Sequence, residues 1–215
     1  MMNLFMQHTF DAWMKRTNPS CPFARYADDA VVHCQNRKQA EEVMQSIALR
    51  LAEYGLTMHP EKSRIVYCKS SNRKASYPLV QFTFLGFTFR PRCAINSQNR
   101  KFTGFMPGVS ADALKRMRKE VRGWRIHRRT AVTLAALAKQ YNPVLRGWWN
   151  YFGEFYPSAM HSFAIYFDGK LMQWARRKYK TLEQRKQSSV QWLCKMKNSF
   201  PQMFVYWSVT RYSVG

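Results

Sequence analysis

The apolar pattern changes period near residue 110, which limits this chain to two differently built halves. Before that point short apolar runs alternate with helical stretches; after it nearly every segment has helical period. Leu4 to Met14 predicts a short helix, and Phe23-Ala24-Arg25-Tyr26 and Ala30-Val31-Val32-His33-Cys34 predict two strands flanking Asp28-Asp29. Ala40, Val43, Met44, Ile47, Leu51 and Tyr54 predict a helix stopped by Gly55, and Ile65 to Cys68 a short strand. Phe82 to Phe89 is aromatic and β-branched, with Gly86 suited to a turn or a close backbone approach. The turn-rich Pro107-Gly108-Val109-Ser110 is the expected junction, giving two expected domains, 1–109 and 110–215.

In the second half, Ser110 predicts a helix cap, followed by Leu114, Met117, Val121 and Trp124 as an apolar stripe. Leu134, Leu137, Ala138 and Tyr141 predict a second helix. Asn142-Pro143 reads as a cap and first-turn proline restarting a third, with Leu145, Trp148, Trp149 and Phe152. A fourth runs from about Ser158 to Lys180.

Charge separates the halves as well. The first carries 15 basic and 7 acidic residues, the second 20 and 5, for a net charge of +23. A surplus of that size opposes compaction unless a polyanion relieves it, which points to nucleic acid rather than to a solvated surface kept for solubility. The aromatic fraction of 15% argues against disorder. Five irregularly spaced cysteines fit neither a zinc knuckle nor a disulfide framework, and free thiols suit a reducing compartment. Neither a signal peptide nor a bilayer-spanning run is visible, so no membrane partner is expected and the expected location is cytoplasmic.

Asp28 and Asp29 are the sharpest chemical feature. Adjacent acids at a hairpin tip repel, and a divalent cation such as Mg²⁺ removes that repulsion; an ordinary polar turn is the alternative for a bare Asp-Asp. Phe23-Ala24-Arg25-Tyr26-Ala27-Asp28-Asp29-Ala30-Val31-Val32 closely resembles the catalytic hairpin of bacterial group II intron reverse transcriptases. Leu56-Thr57-Met58-His59-Pro60-Glu61-Lys62-Ser63 resembles the next palm motif, and Phe82 to Phe89 the primer-grip hairpin. Phe102-Thr103-Gly104-Phe105 and Leu145-Arg146-Gly147-Trp148-Trp149-Asn150-Tyr151-Phe152 resemble the linker into the maturase-specific thumb and its signature helix.

The resemblance implies an α+β fold: a partial reverse-transcriptase palm, an antiparallel sheet with helices, followed by an all-α thumb. It implies RNA-directed DNA synthesis with two Mg²⁺ ions, Asp28 ligating metal directly and Asp29 assisting. Tyr26 would pack under the primer terminus, and Lys62 would act near the leaving pyrophosphate unless it is a solvated loop lysine. Phe84, Leu85, Gly86 and Phe87 would hold the primer; read without the resemblance they are a core strand. Implied partners are group II intron RNA, a DNA target or primer, and deoxynucleoside triphosphates.

Two-metal polymerases need a further carboxylate from an earlier strand. Asp11, on a predicted helix, does not fill that role, and the fingers are expected to precede this point. The expectation is therefore a chain inactive alone, whose open palm sheet leads to self-association. No metal-nuclease constellation follows the thumb. Trp124, Trp148, Trp149 and Trp174 read as core. The clusters Lys115, Arg116, Arg118, Lys119, Arg122, Arg125, Arg128 and Arg129, then Arg176, Arg177, Lys178 and Lys180, with Arg146, read as contacts to RNA or template–primer. A second reading stays open: a non-catalytic RNA-binding splicing factor, or the relic of a mobile element.

Overall fold

The computed structural model describes residues 2–73, 75–182 and 186–208. By proximity the chain forms two compact units: Met1–Phe84 with Cys93–Thr103, and Leu85–Arg92 with Gly104–Gly215.

The first unit opens with α1 (Met2–Met6), a π-turn (Gln7–Asp11) and α2 (Ala12–Thr17). These place Met6, Phe10 and Met14 on one buried side, where they meet Cys21 and Val43 in a small core. β1 (Phe23–Tyr26) and β2 (Asp29–Val32) pair antiparallel, with Phe23 opposite Val32 and Tyr26 opposite Asp29. α3 (Arg37–Glu53) starts on Asn36, whose side chain accepts from the Gln39 amide. It ends before Gly55, whose φ of +69° only glycine adopts without cost.

The strand expected over Ile65 to Cys68 does not form. Its apolar residues find no partner strand among the described residues; the Tyr67 amide donates to the Leu79 carbonyl at 2.8 Å, and the Tyr67 ring lies 4.7 Å from that of Tyr77. A three-stranded sheet comes next, in the order β3 (Phe82–Phe84), β4 (Phe87–Ile95), β5 (Lys101–Val109). Only two residues, Leu85 and Gly86, join β3 to β4, so the pair must be antiparallel. Both have positive φ, 50° and 80°, as a tight hairpin turn matched to strand twist requires. Pro107, Gly108 and Val109 belong to β5 rather than to a turn.

In the second unit, α4 (Ala111–Gly123) is capped by Ser110, whose Oγ accepts from the Ala113 amide at 3.1 Å. Met117 and Val121 are buried from the expected stripe, and Leu114 and Trp124 pack at its margin. α5 (Leu134–Phe152) is one continuous helix, a correction to the two helices expected around Asn142-Pro143. Pro143 removes one helical hydrogen bond. The helix continues because Leu137, Ala138, Tyr141, Leu145 and Trp149 form an unbroken buried face across it. The Asn142 side chain does not cap: it donates to the Met203 carbonyl at 2.8 Å and accepts from the Val205 amide at 3.2 Å.

α6 (His161–Lys178) comes after a 3-10 turn and carries the fully buried Phe163, Phe167, Leu171 and Trp174. α7 (Lys186–Ser199) and the segment after it complete the core, where Phe204, Tyr206 and Trp207 are buried. Asp168, also buried, accepts from the Tyr206 hydroxyl at 2.6 Å and pairs with Lys197 at 2.5 Å. All four tryptophans assigned to packing lie in or against this core. No helix among the described residues is long and apolar enough to cross a membrane.

Candidate active site and nucleic-acid interface

The β1–β2 register leaves Ala27 and Asp28 as the hairpin loop, with Asp29 the first residue of β2. Both carboxylates are therefore at the tip, and both residues are exposed. Tyr26, at the end of β1, has 65% of its surface exposed, so its ring is available to a partner rather than spent on the core.

Ala27 has φ of 55°, a left-handed conformation that costs a non-glycine residue roughly 1 kcal/mol. The tip is braced by Arg25. Its Nε and Nη2 donate to Asp11 Oδ1 and Oδ2, each at 2.7 Å, and its Nη1 donates to the Ala27 carbonyl at 2.6 Å. The hydrogen bond to Asp11 raises the Arg25 guanidinium above its ordinary value, so the charge is fixed. Asp11 is thus engaged with Arg25, not with Asp28 and Asp29.

Among the described residues no group of three His, Cys, Asp or Glu side chains converges on a metal position. Asp28 and Asp29 are adjacent, exposed carboxylates at the tip. That suits a Mg²⁺ ion, which binds through one or two carboxylates and keeps water or substrate phosphate in its remaining positions. Lys62 lies in an exposed turn at 60–62 and forms no ion pair with either aspartate. Cys34 is no alternative nucleophile: burial, with Cys21 beside it, pushes its thiol up to about 11.

The residues expected at the primer separate by role. Phe84 is half-buried in β3, and Phe87 is buried against Tyr151, Phe152 and Phe155. Leu85 is 40% exposed at the turn, where its carbonyl accepts from the Tyr151 hydroxyl at 3.0 Å. The Gly86 carbonyl accepts from the Ser110 amide at 2.9 Å, and a Cβ on Gly86 would stand 3.2 Å from Phe152 Cε1. The turn is therefore seated on the C-terminal end of α5.

Most of the expected RNA contacts lie on, or next to, α4, the 3-10 turn Ile126–Arg128 and α6. Protonation of His127 is disfavoured first by its partial burial and then by the charges of Arg177, Arg128, Lys170 and Arg125. Arg118 and Arg122 lie close to Tyr166, whose ring also carries Lys170 at 5.2 Å and Arg118 at 5.8 Å. Lys115, Arg116 and Lys119 are exposed along α4, and Lys180 is exposed beyond α6.

Three cations of the set have structural work too. Lys178 donates to the Thr130 and Val132 carbonyls at 2.7 and 2.9 Å, Arg118 donates to Ser162 Oγ at 3.2 Å, and Arg129 donates to Gln140 at 2.7 Å. Arg176 is half-buried. Arg146 lies elsewhere, in an open cavity of about 540 Å³ shared with Trp149, Asn150, Glu154 and Gln202. Sequence reasoning missed His127, Tyr166 and Lys170. The helical interval from Tyr166 to Lys170 and on to Arg177 carried the signal, but only the packing of α6 beside the turn joins it to Arg125 and Arg128.

Two family matches cover most of the chain, in the order the geometry suggests. Residues 1–89 match the family described as Reverse transcriptase (RNA-dependent DNA polymerase), and residues 114–192 match the Group II intron, maturase-specific domain. No curated protein matches the chain. An exposed Tyr-Ala-Asp-Asp hairpin in the first match and an aromatic-cored helical unit in the second agree with these descriptions, and the chain belongs to the group II intron reverse transcriptase/maturase family.

Proposed function

We propose that this chain binds group II intron RNA and template–primer, and carries the Asp-Asp part of a two-metal nucleotidyl-transfer site. Residues 1–109 act as the C-terminal part of the palm and 110–215 as the thumb. The observation that carries the reading is the pairing of an exposed carboxylate hairpin within a reverse-transcriptase match with a cationic α4–α6 face within a maturase match.

Asp28, with Asp29, would hold Mg²⁺; a bound ion supplies positive charge to phosphate oxygens and to the primer hydroxyl. Tyr26 would meet the primer terminus, and Leu85 with Gly86 would approach the primer backbone. Lys62 would neutralise charge on departing pyrophosphate. DNA synthesis is expected in company with a fingers–palm segment that brings a further carboxylate to Asp28 and Asp29, with deoxynucleoside triphosphates as substrates. Nucleic-acid association in the cytoplasm and self-association belong to the same reading.

Primer extension on an RNA template, with Mg²⁺ and a supplied fingers–palm segment, tests the catalytic half. Synthesis abolished by Asp28→Ala is the expected result; synthesis indifferent to that substitution removes Asp28 from the chemistry. A purely RNA-binding splicing role would give intron binding and no extension under any complementation.

A further inference from the structure

We infer that Asp11 and Arg25 form a clamp that sets the backbone of the Asp28-Asp29 tip, so that both are positioning residues for it. The inference rests on the carboxylates being the metal-binding element, and it concerns how they are presented. The Arg25 side chain is 9% exposed and that of Asp11 15%, so the pair is largely withdrawn from water. One guanidinium spans both carboxylate oxygens of Asp11 at 2.7 Å and the Ala27 carbonyl at 2.6 Å. That carbonyl belongs to the left-handed residue of the loop, directly before Asp28.

The other ion pairs described in this unit, Arg37–Glu41, Lys38–Glu42 and Arg50–Glu53, lie along a single helix at one-turn spacing and include an exposed partner. Asp11–Arg25 instead joins two elements, and it continues to a backbone carbonyl in strained geometry. Asp11 also closes the π-turn Gln7–Asp11; such a turn adds a residue to the helix and re-aims the chain beyond it, and π-turns concentrate at functional sites. The fork matters as much as the charge. A lysine at 25 could pair with Asp11 or reach the Ala27 carbonyl, but a single ammonium does not reproduce the planar three-point arrangement.

The test uses the whole chain, Arg25→Lys and Asp11→Asn variants, and Mn²⁺ as the probe. Nuclear magnetic resonance reports the Ala27 backbone through its Cα shift and amide coupling, Mn²⁺-induced broadening reports affinity, and thermal melting reports integrity. Both variants should move Ala27 out of its left-handed signature and weaken Mn²⁺ binding by about 10-fold, while the double variant is no worse than the more affected single one. Arg37→Gln should change neither quantity. An unmoved Ala27 signature in both variants would overturn the clamp, whatever Mn²⁺ does. Wild-type broadening that survives Asp28→Ala would overturn the metal reading instead, and the Ala27 signature alone would then decide the clamp.

Discussion

Asp28 and Asp29 sit at the end of a two-stranded ribbon beside a core of Met6, Phe10, Met14, Cys21 and Val43, whereas the cations of α4 and α6 stand on helices packed around Phe163, Phe167, Leu171, Trp174, Phe204 and Tyr206. Each site therefore holds its shape by different means. The hairpin relies on a few directional bonds, chiefly those of Arg25, because little apolar surface is buried near it. The cationic face can be a dense array of like charges because the aromatic core beneath it supplies the opposing stabilisation, and because Lys178 and Arg129 are tied down by carbonyl and amide oxygens.

Trp174→Ala should remove the support of the cationic face. The side chain is fully buried and its Nε1–H donates to the Arg129 carbonyl at 2.9 Å. Removing it should cost about 3–5 kcal/mol, read as a lower urea midpoint, and should loosen the segment carrying Arg125, Arg128 and Arg129. Asp168→Asn comes next. It removes the carboxylate charge that faces Lys197; because the lysine side chain is 20% exposed, the expected loss is about 2 kcal/mol rather than the full cost of a fully buried pair. Gly86→Ala should cost about 1–2 kcal/mol, from the positive φ and the crowding against Phe152, and it asks whether the Leu85–Gly86 turn depends on α5.

The hairpin was legible because alternation and an apolar ribbon on either side of Asp28-Asp29 set the register, and α4 was legible because Ser110 and the Leu114-Met117-Val121 stripe mark its start and face. Three features were not. Asn142-Pro143 reads locally as a helix start, yet tertiary burial of Tyr141 and Leu145 and the ties of Asn142 to residues 203 and 205 override the local signal. Ile65 to Cys68 has strand-like residues but no neighbouring ladder, and pairing is not written in one segment. Phe204 to Trp207 has no helical or strand period, so its burial depends on where α5 and α6 leave room. For the carboxylate site, the motif located Asp28 and Asp29, but the Asp11–Arg25 bond crosses elements and was invisible to spacing.

The smallest expected effect is on protonation. In the free protein His127 titrates below its ordinary value because burial and Arg177, Arg128, Lys170 and Arg125 all oppose a further positive charge. Phosphates bound at this face would offset those charges and raise it. RNA binding should therefore take up a proton, and affinity should grow as pH falls through the His127 range; an imidazole titration unchanged by RNA would separate His127 from the interface.

Contact between the α4–α6 cations and RNA phosphates should show in the salt dependence of binding. Intron RNA affinity should be measured from low to high salt for the wild-type chain and for Arg122→Gln/Lys170→Gln/Arg177→Gln. If these side chains face phosphates, the log–log slope should fall by about 1 for each cation removed, with folding intact. An unchanged slope with a folded variant would contradict the assignment of the α4–α6 face to RNA.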